Sequence, residues 1–193
     1  NKFLAGCQTA FGWFLNVYIE IFRGTPMIVQ SMVIFYGSAQ AFNISLDRTW
    51  AAIFIVSINT GAYMSEIVRG GILAVDPGQF EAATALGMTH GQTMRKVVLP
   101  QVVRNILPAT GNEFVINIKD TSVLNVISVV ELYFTGNTVA TQNYQYFPTF
   151  TIIAVIYFVL TFTITRILRY IERRLDSDTY TTGANQMQVK EVK

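Results

Sequence analysis

The sequence predicts an all-α protein: a polytopic bundle of about four membrane-spanning helices, with a short amphipathic hairpin outside the membrane. Three observations carry this. Charged residues make up 13% of the 193 positions and hydrophobic residues 51%, so the chain holds roughly half the charge usual in a soluble domain. Three windows contain no charged residue: Pro26 to Leu46, Thr49 to Ser65, and Leu132 to Thr165. A helix crosses the hydrocarbon core with about 20 mostly apolar residues, and about 17 at the least; each window qualifies, the second narrowly. The competing reading buries three such helices in a soluble core, but a chain of this size has too little polar sequence to cover them.

In chain order, Asn1 to Phe14 is mixed and reads as a loop or interfacial helix. The first span runs from about Val17 to Phe42 and is expected to kink at Pro26, because a residue without an N–H suits a helix start better than an interior. Asn43 to Thr49, "NISLDRT", is a polar turn. A second span follows from about Trp50 to Val68, where Gly61, Ala62 and Ser65 let a neighbouring helix come close. Gly70-Gly71 and Asp76-Pro77-Gly78 are turn signals. Two amphipathic pieces come next, Phe80 to Leu86 and about Gly91 to Val98, with a break at Gly87 and Pro100 expected to end the second. A third apolar stretch, Ile106 to about Phe134, is interrupted by "NEF" and "KDTS". The last span covers about Phe147 to Leu168. Residues 176–193 lack an apolar face and are expected to be disordered. The chain opens with no signal-peptide pattern and no initiator Met, so it is expected to begin inside a longer product.

Basic residues orient the bundle. Four helices joined by alternating loops place Lys2, Arg23, Arg69, Arg95, Lys96, Arg104, Arg166, Arg169, Arg173 and Arg174 on one side and only Arg48 on the other. The first side is therefore cytoplasmic, together with the loop over about residues 76–100.

That loop is too short and too polar to span. Phe80, Ala83, Ala85, Leu86 and Met88 give it a modestly apolar surface, and Glu81 sits in a first helical turn, where a carboxylate suits the helix dipole. It either lies along the membrane or fits a cleft in a cytoplasmic partner. "EAATALGMTHGQTMRKVVLPQ" resembles the EAA loop of bacterial ABC importer membrane subunits through Glu81, Ala82, Ala83, Gly87, Leu99 and Pro100, with Val97 near the usual apolar position. "VYIEIFRGTPMIVQ", "GAYMSEIVRGGI" and "LPATGNEFVINIKDTSVLNVI" are similar to the polar amino acid permease branch, the histidine, arginine and glutamine type.

The resemblance implies a type I ABC importer fold, with residues 1–175 as the permease domain and five spans in the full subunit, one of them ahead of Asn1. It implies that the loop forms coupling helices docking on an ATPase. The implied partners are two ABC ATPase subunits using ATP and Mg, and a second permease, identical or homologous. An extracytoplasmic solute-binding protein and a polar amino acid complete the set. No cofactor is expected on this chain itself, and the implied location is the bacterial cytoplasmic membrane.

Ionisable groups at membrane depth are costly and usually face a cavity or one another. Glu113 and Asp120 lie seven residues apart, on one face of an unbroken helix, and are candidates for binding a substrate ammonium. Lys119 and Asp120 could instead neutralise each other, or Asp120 or Thr121 could cap a break at "KDTS". In the second span Asn59, Tyr63 and Glu66 share a face and serve either as substrate contacts or as an interhelical hydrogen-bond seam.

Several function classes are excluded or weakened. A net charge of +2 with no basic-aromatic run argues against nucleic acid. One Cys and one His, Cys7 and His90, allow neither an internal disulfide nor a multi-histidine metal site. No GxxxxGK[ST], HExxH or GxSxG string occurs, so neither ATP hydrolysis nor a familiar intramembrane enzyme is supported. A secondary transporter would also carry midplane charges but has no use for the loop from Glu81 to Pro100.

Overall fold

A computed structural model describes the backbone of residues 2–191 and the side chains of residues 6–175. The order is α1 (Lys2–Gly24), α2 (Met27–Phe42), α3 (Arg48–Leu73), α4 (Pro77–Ala85), α5 (His90–Thr93), a π-helical turn (Met94–Val98) and α6 (Leu99–Asp120). A 3₁₀ segment (Thr121–Ile127), α7 (Leu132–Asn143) and α8 (Tyr146–Glu191) complete it. No strand occurs among the described residues. The side chains of 176–193, expected to form a disordered tail, lie outside those described.

Two expectations are corrected. The first span is not one kinked helix: α1, which takes up the N-terminal stretch read as a loop or interfacial helix, has 23 residues and stops at Gly24, and α2 starts afresh at Met27. Pro26 is extended, with φ −65° and ψ 138°, and a proline also drives the residue before it out of the α region. The break leaves α2 with 16 residues, shorter than a full crossing. Pro100 does not end a helix either. The N–H of Leu99 bonds to the Met94 carbonyl, five residues back, so the chain widens into a π turn and restarts as α6, with Pro100 in a first turn that needs no N–H from it. Of the two polar interruptions of the third apolar stretch, "NEF" lies within α6 and "KDTS" spans its end at Asp120.

By length and composition α3 and the Tyr146–Leu175 part of α8 can each cross a membrane. The run His90–Ile127 with Leu132–Asn143, bent by 55°, is a third crossing if the pair counts as one broken span. Only 6% of the apolar window in α8 is buried within the chain, and residues such as Val155, Phe158 and Phe162 are bare, as expected of a helix facing lipid or other helices.

The chain forms two compact units. The first holds the residues up to Glu66 and Ile116–Phe158. Its core is Ala51, Ala52 and Ile55 of α3 against Leu124 and Ile127, with Met27, Ile34 and Phe35 packed around them. The 3₁₀ segment closes in a Schellman turn: Ser128 is left-handed at φ 60°, its N–H bonding to the Asn125 carbonyl (2.8 Å) and that of Val129 to Leu124 (3.3 Å). Glu131 then caps α7, accepting from the N–H groups of Tyr133 (2.8 Å) and Phe134 (2.6 Å) and from the Tyr157 hydroxyl (3.0 Å). This carboxylate in an apolar region is satisfied by two backbone donors and one phenol, which offsets its desolvation.

The second unit holds Ile67–Val115 and the chain from Val159 onward. Its core is Val75, Val98 and Val102, with Ile72, Phe80, Met94 and Ile106 against them. Gly71 lets α6 close in, for a Cβ there would lie 2.2 Å from Ile106 Cγ2.

In the first unit Gly136 of α7 serves the same purpose. A Cβ on it would lie 2.0 Å from Cδ1 and 2.8 Å from Cγ1 of buried Ile153. Gly136→Ala is expected to destabilise the protein by about 1–3 kcal/mol through overpacking, and adding Ile153→Ala should recover part of the loss. Thermal unfolding of the two purified variants checks this.

Candidate functional site

The hairpin over residues 76–100 is a self-capped corner. Asp76 caps α4, its carboxylate accepting from the Gly78 N–H at 2.7 Å, and Pro77 fills the first turn. The helix ends in a Schellman turn centred on Gly87 at φ 74°: the Gly87 N–H bonds to Thr84 (2.9 Å) and that of Met88 to Ala83 (3.1 Å). Only glycine takes that conformation without strain. Two residues on, Thr89 and Gln92 form a capping box that starts α5, with Thr89 N–H to Gln92 Oε1 at 2.9 Å and Gln92 N–H to Thr89 Oγ1 at 3.4 Å.

This geometry sorts the motif residues. Ala83 is 3% exposed and Thr93 and Val98 are buried, so Ala83 packs the hairpin against itself rather than offering a surface. Glu81, Ala82 and Gly87 are exposed, as are Leu99 and Pro100. Leu86, at the end of α4, is 82% exposed. Phe80 and Met88, read from the sequence as part of the outward surface, are only half-exposed. The outward face thus combines the Glu81 carboxylate and small residues with a leucine knob at Leu86.

The α3 stripe meets the end of α1. Asn59 is 7% exposed, and its amide donates to Gln30 Oε1 (3.0 Å) and to the Phe22 carbonyl (3.3 Å). Gln30, equally buried, donates to the Phe22 and Thr25 carbonyls at 2.9 and 2.8 Å. These two acceptors are stranded by the break at Pro26, so the amide pair does what the missing helix turn would have done. Four and seven residues beyond Asn59, Tyr63 and Glu66 receive Arg23: the guanidinium lies 5.7 Å from the Tyr63 ring centroid and 3.5 Å from a Glu66 oxygen. A cation in the last turn of α1 also suits the helix dipole. Gln30 was not singled out from the sequence. The available signal was an amide on an apolar helix four residues after a proline break, a group that needs a partner.

Glu113 is half-buried on α6 and Asp120 is exposed at its end, two turns further along. Asp120 makes no cap to the segment that follows, and Thr121 instead donates its hydroxyl to Ile118 at 2.9 Å. Among the described residues Lys119 and Asp120 form no ion pair. In the first unit a cavity of about 470 Å³ is lined by Thr49, Ala52, Val56, Leu124 and Glu131, and the stripe residues of α3 do not reach it.

Residues 3–177 match the family described as "Binding-protein-dependent transport system inner membrane component". The chain is 41% identical over 178 residues to the glutamine transport system permease protein GlnP of Escherichia coli strain K12, covering 89% of this chain and 81% of that one. It is 38% identical over 168 residues to the arginine transport system permease protein ArtQ of Bacillus subtilis strain 168, covering 87% and 77%. Among solved structures, an amino acid ABC transporter crystallised with histidines superposes at TM-score 0.78 and 45% identity, covering 82% of this chain and 74% of that one. The MetNI methionine ABC transporter, at TM-score 0.71 and 20% identity over 83% and 73%, shares the fold.

Asn59→Leu, which leaves the Gln30 amide without its partner, is expected to lower stability by about 1–3 kcal/mol without altering which ligands compete for uptake. Paired measurements of thermal unfolding and competition profile separate the seam from a substrate contact, for which the profile would move and the unfolding temperature would not.

Proposed function

We propose a specific role from a fixed premise: the chain belongs to the binding-protein-dependent transport system inner membrane components. It is a membrane permease subunit of an ABC importer, non-catalytic itself, and works with an ATPase carried on a separate chain. Beyond that, we assign residues 1–175 to the permease domain of a bacterial cytoplasmic membrane transporter. A second permease, identical or homologous, would complete the pathway, with two ATPase subunits at the cytoplasmic face and an extracytoplasmic solute-binding protein delivering a polar amino acid. The names of the relatives, glutamine and arginine permeases, support that substrate class.

The observation that carries the reading is the hairpin. A rigid, doubly capped corner presenting Glu81, Ala82, Leu86 and Gly87 outward has the form of an element that seats in a partner groove. Its other end continues through the π turn into α6, which carries Glu113 and Asp120. Closure of the ATPase would move α6 as a body. In the pathway we assign Glu113 and Asp120 to the substrate or its cavity, and Asn59, Tyr63 and Glu66 to holding the α1–α2 break.

Two outcomes test this. Gly87→Asp should abolish ATP-driven uptake while the protein remains in the membrane, whereas Gly87→Asn, which tolerates the left-handed conformation, should retain part of it; normal uptake by Gly87→Asp removes the coupling role. In proteoliposomes holding the full complex and its binding protein, Glu113→Gln should shift apparent affinity or selectivity across a panel of labelled amino acids. Unchanged uptake of all of them removes Glu113 from the pathway, and uptake independent of ATP would overturn the importer reading.

A further inference from the structure

Four arginines gather at the C-terminal end of the apolar run of α8, and they are not equivalent. Arg166 lies 4.8 Å from the Phe162 ring centroid. Arg174 donates to the Tyr170 hydroxyl at 2.6 and 3.0 Å and sits over its ring. Among the described residues Arg169 has no such partner; it lines a cavity of about 230 Å³ between α6 and α8, together with Pro108, Gly111, Asn112, Thr165 and Glu172.

Glu172 is the second half of the arrangement. Its Oε1 lies 3.7 Å from where a Cβ on Gly111 would stand, with Leu168 Cδ1 nearer at 3.3 Å, so glycine at 111 lets α8 pack close to α6 beside the carboxylate. Arg169 and Glu172 are three residues apart on one helix, a spacing at which opposite charges usually pair. Among the described residues they form no ion pair or hydrogen bond, with each other or with any other side chain. Among the described residues Arg169 and Glu172 therefore line one cavity without an ion-pair partner, beside Asn112. A purely anionic ligand would meet Glu172 and a purely cationic one would meet Arg169, so the complementary ligand carries both charges a few ångströms apart.

The surroundings choose its source. The cavity lies at the polar edge of a membrane span, and Leu160, Ile167 and Ile171 on the same helix are bare. Basic groups in such positions are where lipid headgroups are held. We propose that this cavity binds the headgroup of an aminophospholipid of the phosphatidylethanolamine type. Arg169 and Asn112 donate to the phosphate, Glu172 accepts from the primary ammonium, and the acyl chains lie along the bare apolar face of α8. The inference rests on α8 spanning the membrane and not on the transported substrate.

The test is native mass spectrometry of the delipidated full complex, offered phosphatidylethanolamine, phosphatidylcholine and phosphatidylglycerol with identical acyl chains. The expected result is a preference of about tenfold for phosphatidylethanolamine over the other two, the scale of one lost hydrogen bond to a charged group. Glu172→Gln should remove the preference over phosphatidylglycerol, and Arg169→Gln should weaken both lipids alike, with both variants unfolding at the wild-type temperature. Equal retention of the three lipids, or a preference that survives both substitutions, overturns the proposal. So does retention of a free amino acid, lost on Arg169→Gln, in place of any lipid preference, since that would assign the cavity to a soluble zwitterion.

Discussion

The first unit depends on how a helix can be cut and still have the carbonyls of Phe22 and Thr25 answered. The break at Pro26 strands the Phe22 and Thr25 carbonyls, which then need other donors. The Gln30 and Asn59 amides supply them from two different helices, and they bond to each other as well. Because Asn59 belongs to α3, satisfying the break also pins α1 and α2 to it. The close passage of Tyr18, whose hydroxyl bonds to the Ile58 carbonyl and would meet any side chain at Gly61, follows from that attachment, as does the docking of Arg23 on Tyr63 and Glu66. A polar stripe on a spanning helix is thus explained by the gap in its neighbour.

The second unit solves a different problem. The hairpin must hold its own shape with a small core, so it relies on local devices: an Asx cap, a Schellman glycine, a capping box and a valine cluster at 75, 98 and 102. The caps are short-range hydrogen-bond patterns, and the valine cluster ties the two limbs of the corner together across more than 20 residues of chain. This arrangement frees Glu81, Ala82 and Leu86 from structural duty, whereas Ala83, in the same motif, is used up inside.

Much of this was legible in the sequence, for reasons that can be stated. The scarcity of charge marked the membrane class, and the break at Gly87 followed from the conformational freedom of glycine. Tyr63 and Glu66 were visible as a stripe, but their partner was not, because Arg23 lies far off in sequence and reached them only once the break had aimed it. Pro26 and Pro100 show the limit most clearly. Both disrupt a helix locally, yet one separates two helices and the other is absorbed in a wider turn. The difference lies in whether the backbone can find an acceptor five residues back, which no local pattern announces. Gln30 was passed over because an amide on an apolar helix says that a partner exists without saying where.

The π turn at Met94–Val98 carries one more implication. A helix that takes an i to i+5 step holds one residue more than a regular turn, which resets the angular phase of everything after it by roughly 100°. Thr93, ahead of the turn, and Glu113, beyond it, therefore sit in two different azimuthal registers along one helical run, joined by a turn of looser pitch. Twisting that turn toward ordinary α geometry would swing the remaining 22 residues of α6 about their own axis without lengthening any loop.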